Sequence, residues 1–402
     1  MIQASEQFTD ERQVVEEIGS DGAPVGLESE SIAEHVGEIR APFDPAKIDV
    51  ITQMRTVDLL LARLREGEMD LSPEFQRRSN LWNEARKSSL IESILLRIPI
   101  PSLYVSEDDS GNYTVVDGLQ RMCAIAHFVE VKSLNKAVNA NLIPLKLSEL
   151  QSLPVEFKNA TFDELPRTLQ RRISETELTL HVIRASTPPA VKFNIFSRIN
   201  RGGLPLSAQE IRNAVLPGVW REDARRLYTS SEFLFATEKS IKGERMEDVE
   251  LVLRFLAHYE LHGEERFPDQ NLDDFLNDYA ERSNSFGVSD REIAINAFIK
   301  AMRFAPTVFG KHAFRKYYVA GEARKPINRG LFETESVVLA NFTEDELQRL
   351  SHNQPLVLQK VADLFNGDMA FSSALLYATG RGSSANVRIQ KLTTALREVL
   401  DA

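Results

Sequence analysis

The sequence predicts an α+β protein, with a small α/β domain followed by a mainly α-helical domain. Three observations lead there. Between Ile48 and about residue 216, short apolar runs alternate with stretches of helical period. Within that region Val115-Val116-Asp117-Gly118-Leu119-Gln120-Arg121-Met122 runs from an apolar strand through a glycine into a helix carrying Ala124, Ile125 and Phe128. Beyond about residue 217 nearly every segment has helical periodicity. The expected layout is a leader over 1–45, an α/β domain over 46–216 and a helical domain over 217–402.

Taken in order, residues 1–45 are acidic, poor in aromatics and broken by Gly and Pro, which reads as a disordered leader. A partner-binding or DNA-mimicking tail is the functional alternative. Thr56 is placed to cap a helix carrying Val57, Leu60, Leu61 and Leu64, with Gly67 just past its end. Met69 to Phe75 reads as extended. A helix from Glu84 to Arg97 buries Leu90, Ile91, Ile94 and Leu95, and Pro99 and Pro101 stop it. Leu103–Ser106 and Tyr113–Val116 flank Asp108-Asp109-Ser110-Gly111-Asn112 as a hairpin. The strand-to-helix motif follows. Glu177 to Arg184 reads as a strand. A helix opens at Pro188-Pro189 and ends at Asn200-Arg201-Gly202-Gly203; Ser207 with Glu210 has the spacing of a capping box for the next one. Helices are then expected over 222–236, 245–262, 271–283, 289–304, 329–341, 343–365 and 385–400.

Charge is unevenly spread. The net charge of −11 includes eleven acids against Arg12 and Arg40 in residues 1–45, so the remainder carries only −2. The body is neither broadly nucleic-acid-repelling nor a basic DNA-coating surface. A single cysteine excludes an internal disulfide framework and a Cys-rich zinc site. The N-terminus lacks a signal pattern, and no apolar run approaches the ~18 residues of a membrane span. The expectation is a cytoplasmic protein without a membrane partner.

Three constellations bear on chemistry. In the strand-to-helix motif, the first helical N–H groups lack partners within the helix and the dipole is positive there, so an anion is favoured. Gly118 allows close approach of a ligand to the backbone. Arg121 offers charge-assisted contacts. Asp117 could hold a metal or water, or merely cap the helix. Upstream, Pro73-Glu74-Phe75-Gln76-Arg77-Arg78 sets Gln76 and Arg77 on opposite faces of an extended backbone; plain surface is the alternative. Downstream, Phe196-Ser-Arg198-Ile-Asn200-Arg201-Gly202-Gly203 is either a loop that folds over a ligand or an ordinary glycine helix end.

Other features carry less. There is no Walker loop, which excludes a P-loop NTPase. Glu130-Val-Lys132 mimics a nuclease pattern but falls at a helix end. His258 and His262 share a helix face without a third ligand, and Cys123 reads as a small buried apolar residue. The clusters Arg77, Arg78, Arg86, Lys87 and Lys311, Arg315, Lys316 suit phosphate contacts or solvated helix faces equally.

Together and in this order, the motifs resemble the DUF262 family, the group that includes the N-terminal domain of GmrSD-type restriction enzymes. The resemblance rests on Pro73–Arg77 with Trp82, Leu90–Ile94 with Ile98–Pro101, Val116–Arg121, Phe196–Gly203 and Leu206–Asn213. Stand-alone members of the family also resemble the second half, at Arg245–Asp248 and Phe309–Arg315. The resemblance implies a ParB/sulfiredoxin-like fold for the α/β domain. It also implies binding, with possible hydrolysis, of a nucleoside triphosphate with Mg2+. Asp117 and Arg121 would be the catalytic pair. Gln76, Arg77, Gly118, Gln120, Arg198, Asn200, Gly202 and Gly203 would complete the pocket, and no protein metal site is expected. Partners implied are a nucleotide, DNA, and a separately encoded nuclease or toxin in phage defence. Two departures stand out. Leu119 replaces the first glutamine of the usual Asp-Gly-Gln-Gln-Arg core, which removes a polar group from the site or turns the residue into the core. No His-Asn-His nuclease pattern follows, since His352-Asn353 has no metal-site partners in sight. The readings that remain are a nucleotide-binding regulator or NTPase, a ParB-like nuclease using the same pocket, and a non-catalytic docking module.

Overall fold

The computed structural model describes residues 14–19, 22–29, 48–71, 82–199, 207–243, 245–261, 270–376 and 382–402. The chain divides into two compact units, one of residues 40–217 and a discontinuous one of residues 1–39 with 218–402. It begins with an antiparallel pair, β1 (Glu16–Ile18) and β2 (Pro24–Glu28), which belongs to the discontinuous unit.

The α/β unit opens with β3 (Val50–Thr56), which runs straight into α1 (Val57–Glu66). Thr56 accepts from the Leu59 N–H, and Gly67 closes the helix in the left-handed region at φ 80°. A two-residue β4 (Met69–Asp70) follows. α2 (Glu84–Leu95) is capped by Asn83. Its buried Glu92 accepts from the backbone N–H groups of Gln151, Ser152 and Leu153 at 2.9, 2.7 and 2.9 Å, which ties that loop to the helix. β5 (Leu103–Glu107) and β6 (Tyr113–Asp117) form the hairpin, its turn held by Asp108 accepting from Ser110 and Asn112. Next come α3 (Leu119–Val129), α4 (Val131–Val138), α5 (Arg167–Ser174), β7 (Glu177–Ile183), α6 (Pro189–Ile199) and α7 (Ala208–Val215).

The sheet is mixed, in the order β3-β7-β5-β6-β4. Side chains alternate between its faces. Leu103, Val105, Tyr113, Val115, Leu178, Leu180 and Val182 point one way and join α1, α2, α3 and α4 in a single apolar core. On the other face α7 packs against β6, and the α6 residue Lys192 donates to the Glu107 carbonyl at 3.1 Å. The β5–β6 register contains a bulge. Val105 pairs with Val115, yet Tyr104 pairs with Asp117, so Val116 is an extra residue.

The discontinuous unit corrects the expectation of a disordered leader for residues 14–19 and 22–29. Val25 and Leu27 are buried. The Ile327 N–H donates to the Gly26 carbonyl, and Glu28 N–H donates to the Ile327 carbonyl. Gly26, at φ 86°, lies so close to Ser240 that a Cβ would stand 2.0 Å from its carbonyl oxygen. The acids that suggested disorder are used as anchors: Glu28 pairs with Lys316 at 2.6 Å and Glu17 with Arg329 at 2.8 Å. Composition hid this because the partners lie some 300 residues downstream.

The remainder of the unit is mostly helical. The expected 222–236 helix is two, Val219–Tyr228 and Ser231–Ala236, because Ser230 caps the second. The 343–365 helix likewise breaks at Asn353, with Pro355 in the first turn of Gln354–Gly367. Pro306 does not end its helix; Val288–Val308 carries it in the last turn. Met369–Leu376 is a helix the sequence reading missed. Among the described residues no helix is long and apolar enough to cross a membrane.

Candidate functional site

The corner from β6 to α3 is shaped by Gly118. Its φ of 93° is a conformation that side chains with a Cβ rarely adopt, and an added Cβ would meet the Leu103 Cδ2 at 2.1 Å. Close packing on Leu103 therefore reserves this position for glycine. The same turn brings Arg121 back over Asp117. The guanidinium donates to Asp117 Oδ2 at 2.9 Å, to the Ser102 carbonyl at 3.0 Å and to the Pro101 carbonyl. The Arg121 side chain is only 12% exposed and that of Asp117 41%. Arg121 thus clamps the start of β5 to the end of β6 and fixes one carboxylate oxygen, while Asp117 Oδ1 has no partner among the described residues. Among the described residues two N–H groups of the guanidinium have no acceptor.

The capping alternative for Asp117 does not hold. Side chains of Thr56, Asn83 and Ser207 cap α1, α2 and α7, whereas among the described residues no side chain caps α3. An eleven-residue helix therefore begins with its first N–H groups unmet by any side-chain acceptor among the described residues, at its positive end. Gln120 turns back to accept from the Trp82 N–H at 3.1 Å, which leaves its amide nitrogen as a donor. Leu119 is 6% exposed and belongs to the apolar core, so its substitution for glutamine removes nothing from the site.

Asp117, Gly118, Gln120 and Arg121 are thus brought together. Arg198 is exposed near the end of α6 and makes no ion pair among the described residues. Gln76, Arg77, Asn200, Gly202 and Gly203 lie outside the described residues, as does His262.

The sequence reading missed the neighbours of this corner. The Pro101 and Ser102 carbonyls that hold Arg121 come from the Ile98-Pro-Ile-Pro101 run, whose signal was visible but unassigned. Tyr104 stands opposite Asp117 in the ladder, and its ring lies 4.6 Å from that of His181.

Several tempting groups are structural. Glu130 is held below the usual carboxylate range by its hydrogen bond from Arg65, at 2.6 Å, and so is an ion-pair partner. His258 is fully buried against Phe275 and bonds the Arg254 carbonyl through Nδ1. Cys123 is buried. Lys87 is not on a solvated face: it is 6% exposed, its Nζ is 3.1 Å from His127 Nδ1, and burial lowers the pKa of both groups. Arg315 and Lys316 are likewise buried. His352 bonds the Gln348 carbonyl on its own helix. Among the described residues no three His, Cys, Asp or Glu side chains gather as a metal site.

Residues 58–217 match the family model for the GmrSD restriction endonuclease, N-terminal domain. The matched segment covers nearly the whole α/β unit and none of the helices after it. No curated protein and no solved structure matches the chain.

Proposed function

We propose that the α/β unit binds a nucleoside triphosphate, with its phosphates at the start of α3, and serves a DNA-directed defence system of the restriction type. The observation that carries the reading is the positively polarised helix end directly after the left-handed Gly118, with no side-chain cap among the described residues and with Arg121 and Asp117 fixed beside it. The first N–H groups of α3 would donate to phosphate oxygens. The remaining N–H groups of Arg121 and the Gln120 amide would add donors. Gln76 and Arg77, with Arg198, Asn200, Gly202 and Gly203, complete the pocket in this reading.

The donor set suits Mg2+ bound mainly through the ligand. Asp117 Oδ1 supplies one hard oxygen, and Mg2+ characteristically takes one or two carboxylates with phosphate oxygens and waters. Such an ion would neutralise charge on the phosphates. Asp117, held by Arg121, would orient it or a water at its free oxygen.

The test is a titration of the full chain carrying Trp220→Phe with ATP and GTP, with and without Mg2+, followed by the fluorescence of Trp82, then the sole tryptophan, whose backbone N–H bonds Gln120. Saturable binding that Arg121→Ala abolishes supports the reading. Absence of nucleotide binding with cleavage of duplex DNA would replace it by the nuclease reading, and absence of both by a docking module.

A further inference from the structure

The bulge at Val116 does more than end a strand. Without the extra residue, Asp117 would fall on the face of Val115 and Tyr113, inside the core. With it, Asp117 comes into register with Tyr104. Tyr104 is in register with His181, and His181 with Thr52. One row therefore crosses four strands on the face away from the core, in the order Thr52, His181, Tyr104, Asp117.

The middle of this row is aromatic and open. The Tyr104 and His181 rings lie 4.6 Å apart, tilted by 30°, and both residues are only partly buried. Thr52 Oγ1 sits 3.0 Å from His181 Nδ1 and sets the ring's orientation, leaving Nε2 without a partner among the described residues. Flanking side chains are uncharged: Met54 is 50% exposed and Val50 39%, and Thr179 Oγ1 contacts the Met54 sulfur. Adjacent strands are about 4.8 Å apart, so His181 lies two strands, or roughly 10 Å, from the Asp117 corner. That is the distance across a mononucleotide from phosphate to base.

We propose that Tyr104 and His181 form the base platform of the site, so that a nucleotide lies across the sheet with its base on these rings. The proposal rests on the phosphate reading above and adds the part of the ligand which that reading leaves unplaced. Stacking uses the π-face common to all bases, so the platform selects for a nucleobase over a bare polyphosphate. The His181 Nε2 edge would add one hydrogen bond to a base heteroatom. The competing explanation is a cross-strand aromatic pair that only stabilises the sheet.

The two are separated by titrating the full chain with ATP, GTP and inorganic triphosphate. Tyr104→Ala and His181→Ala should each weaken ATP or GTP binding on the order of 10- to 100-fold while leaving inorganic triphosphate binding unchanged. Tyr104→Phe should retain nucleotide binding, which controls for loss of fold, and Arg121→Ala should weaken all three ligands. Equal losses for triphosphate and nucleotide in Tyr104→Ala would overturn the platform, as would nucleotide binding no tighter than that of triphosphate in the unaltered protein. Both of those results leave the phosphate site standing. If none of the three ligands binds, the phosphate reading and the platform fall together.

Discussion

Replacing Gly118 by alanine tests whether the corner is as tightly determined as its geometry implies. Two costs combine. An L-residue forced into the left-handed region at φ 93° is disfavoured by roughly 1–2 kcal/mol. The new methyl would also stand 2.1 Å from the Leu103 Cδ2, and Leu103 is 1% exposed within the core. Overpacking of this kind costs about 1–3 kcal/mol. Gly118→Ala should therefore destabilise the α/β unit by roughly 2–5 kcal/mol. Only the steric part depends on Leu103, so Gly118→Ala and Leu103→Ala should couple. The double variant should be more stable than the sum of the single losses by about 1–3 kcal/mol, while the conformational part persists. Urea unfolding of the full chain carrying Trp220→Phe measures this. Trp82 is then the only tryptophan and reports the α/β unit alone. Strict additivity of the two single variants would refute the steric argument. A neutral Gly118→Ala would refute both parts.

Further outcomes follow from buried charge in the discontinuous unit. Burial pushes the Glu335 carboxyl up to about 8, although the Phe314 N–H donates to it and Arg315 lies nearby. The folded state thus keeps a proton that the unfolded chain loses near pH 4.5, so stability should fall as pH rises from about 4.5 to 8 and then level. The loss should total on the order of 5 kcal/mol, and Glu335→Gln should remove it, matching the parent at pH 5 and exceeding it at pH 8.5. Equal pH slopes in thermal melts of the two proteins would contradict this. Glu28→Ala should strand the Lys316 ammonium, which is 4% exposed, and cost about 3–5 kcal/mol in the same unit. An unchanged urea midpoint for that unit would show that the N-terminal pair of strands is dispensable to it. Lys316→Met should restore part of the Glu28→Ala loss, because the partner is then apolar and needs no countercharge.

What could be read from the sequence was local. Thr56 and Gly67 bracket α1 because caps depend on residues a few positions apart, and the Ser207–Glu210 box opens α7 for the same reason. The strand-glycine-helix signal by itself places Asp117, Gly118 and Arg121 at one corner. Long-range partnerships were opaque. Glu17 and Glu28 looked like disordering charge because Arg329 and Lys316 stand far along the chain. Arg315 and Lys316 looked like a solvated basic patch for the same reason. The bulge was invisible because Val115-Val116-Asp117 reads as an uninterrupted strand; only its pairing with β5 shows that Val116 is extra. That hidden residue decides which face Asp117 serves, and so joins it to Tyr104 and His181.

The most direct test is the affinity of the full chain for ATP and GTP with Mg2+, measured for the parent and for Arg121→Ala. Saturable binding in the parent that is lost in Arg121→Ala, with the α/β unit still folded by its urea midpoint, is the predicted result. Binding that survives Arg121→Ala, or a parent that binds neither nucleotide, would contradict a phosphate site at the start of α3.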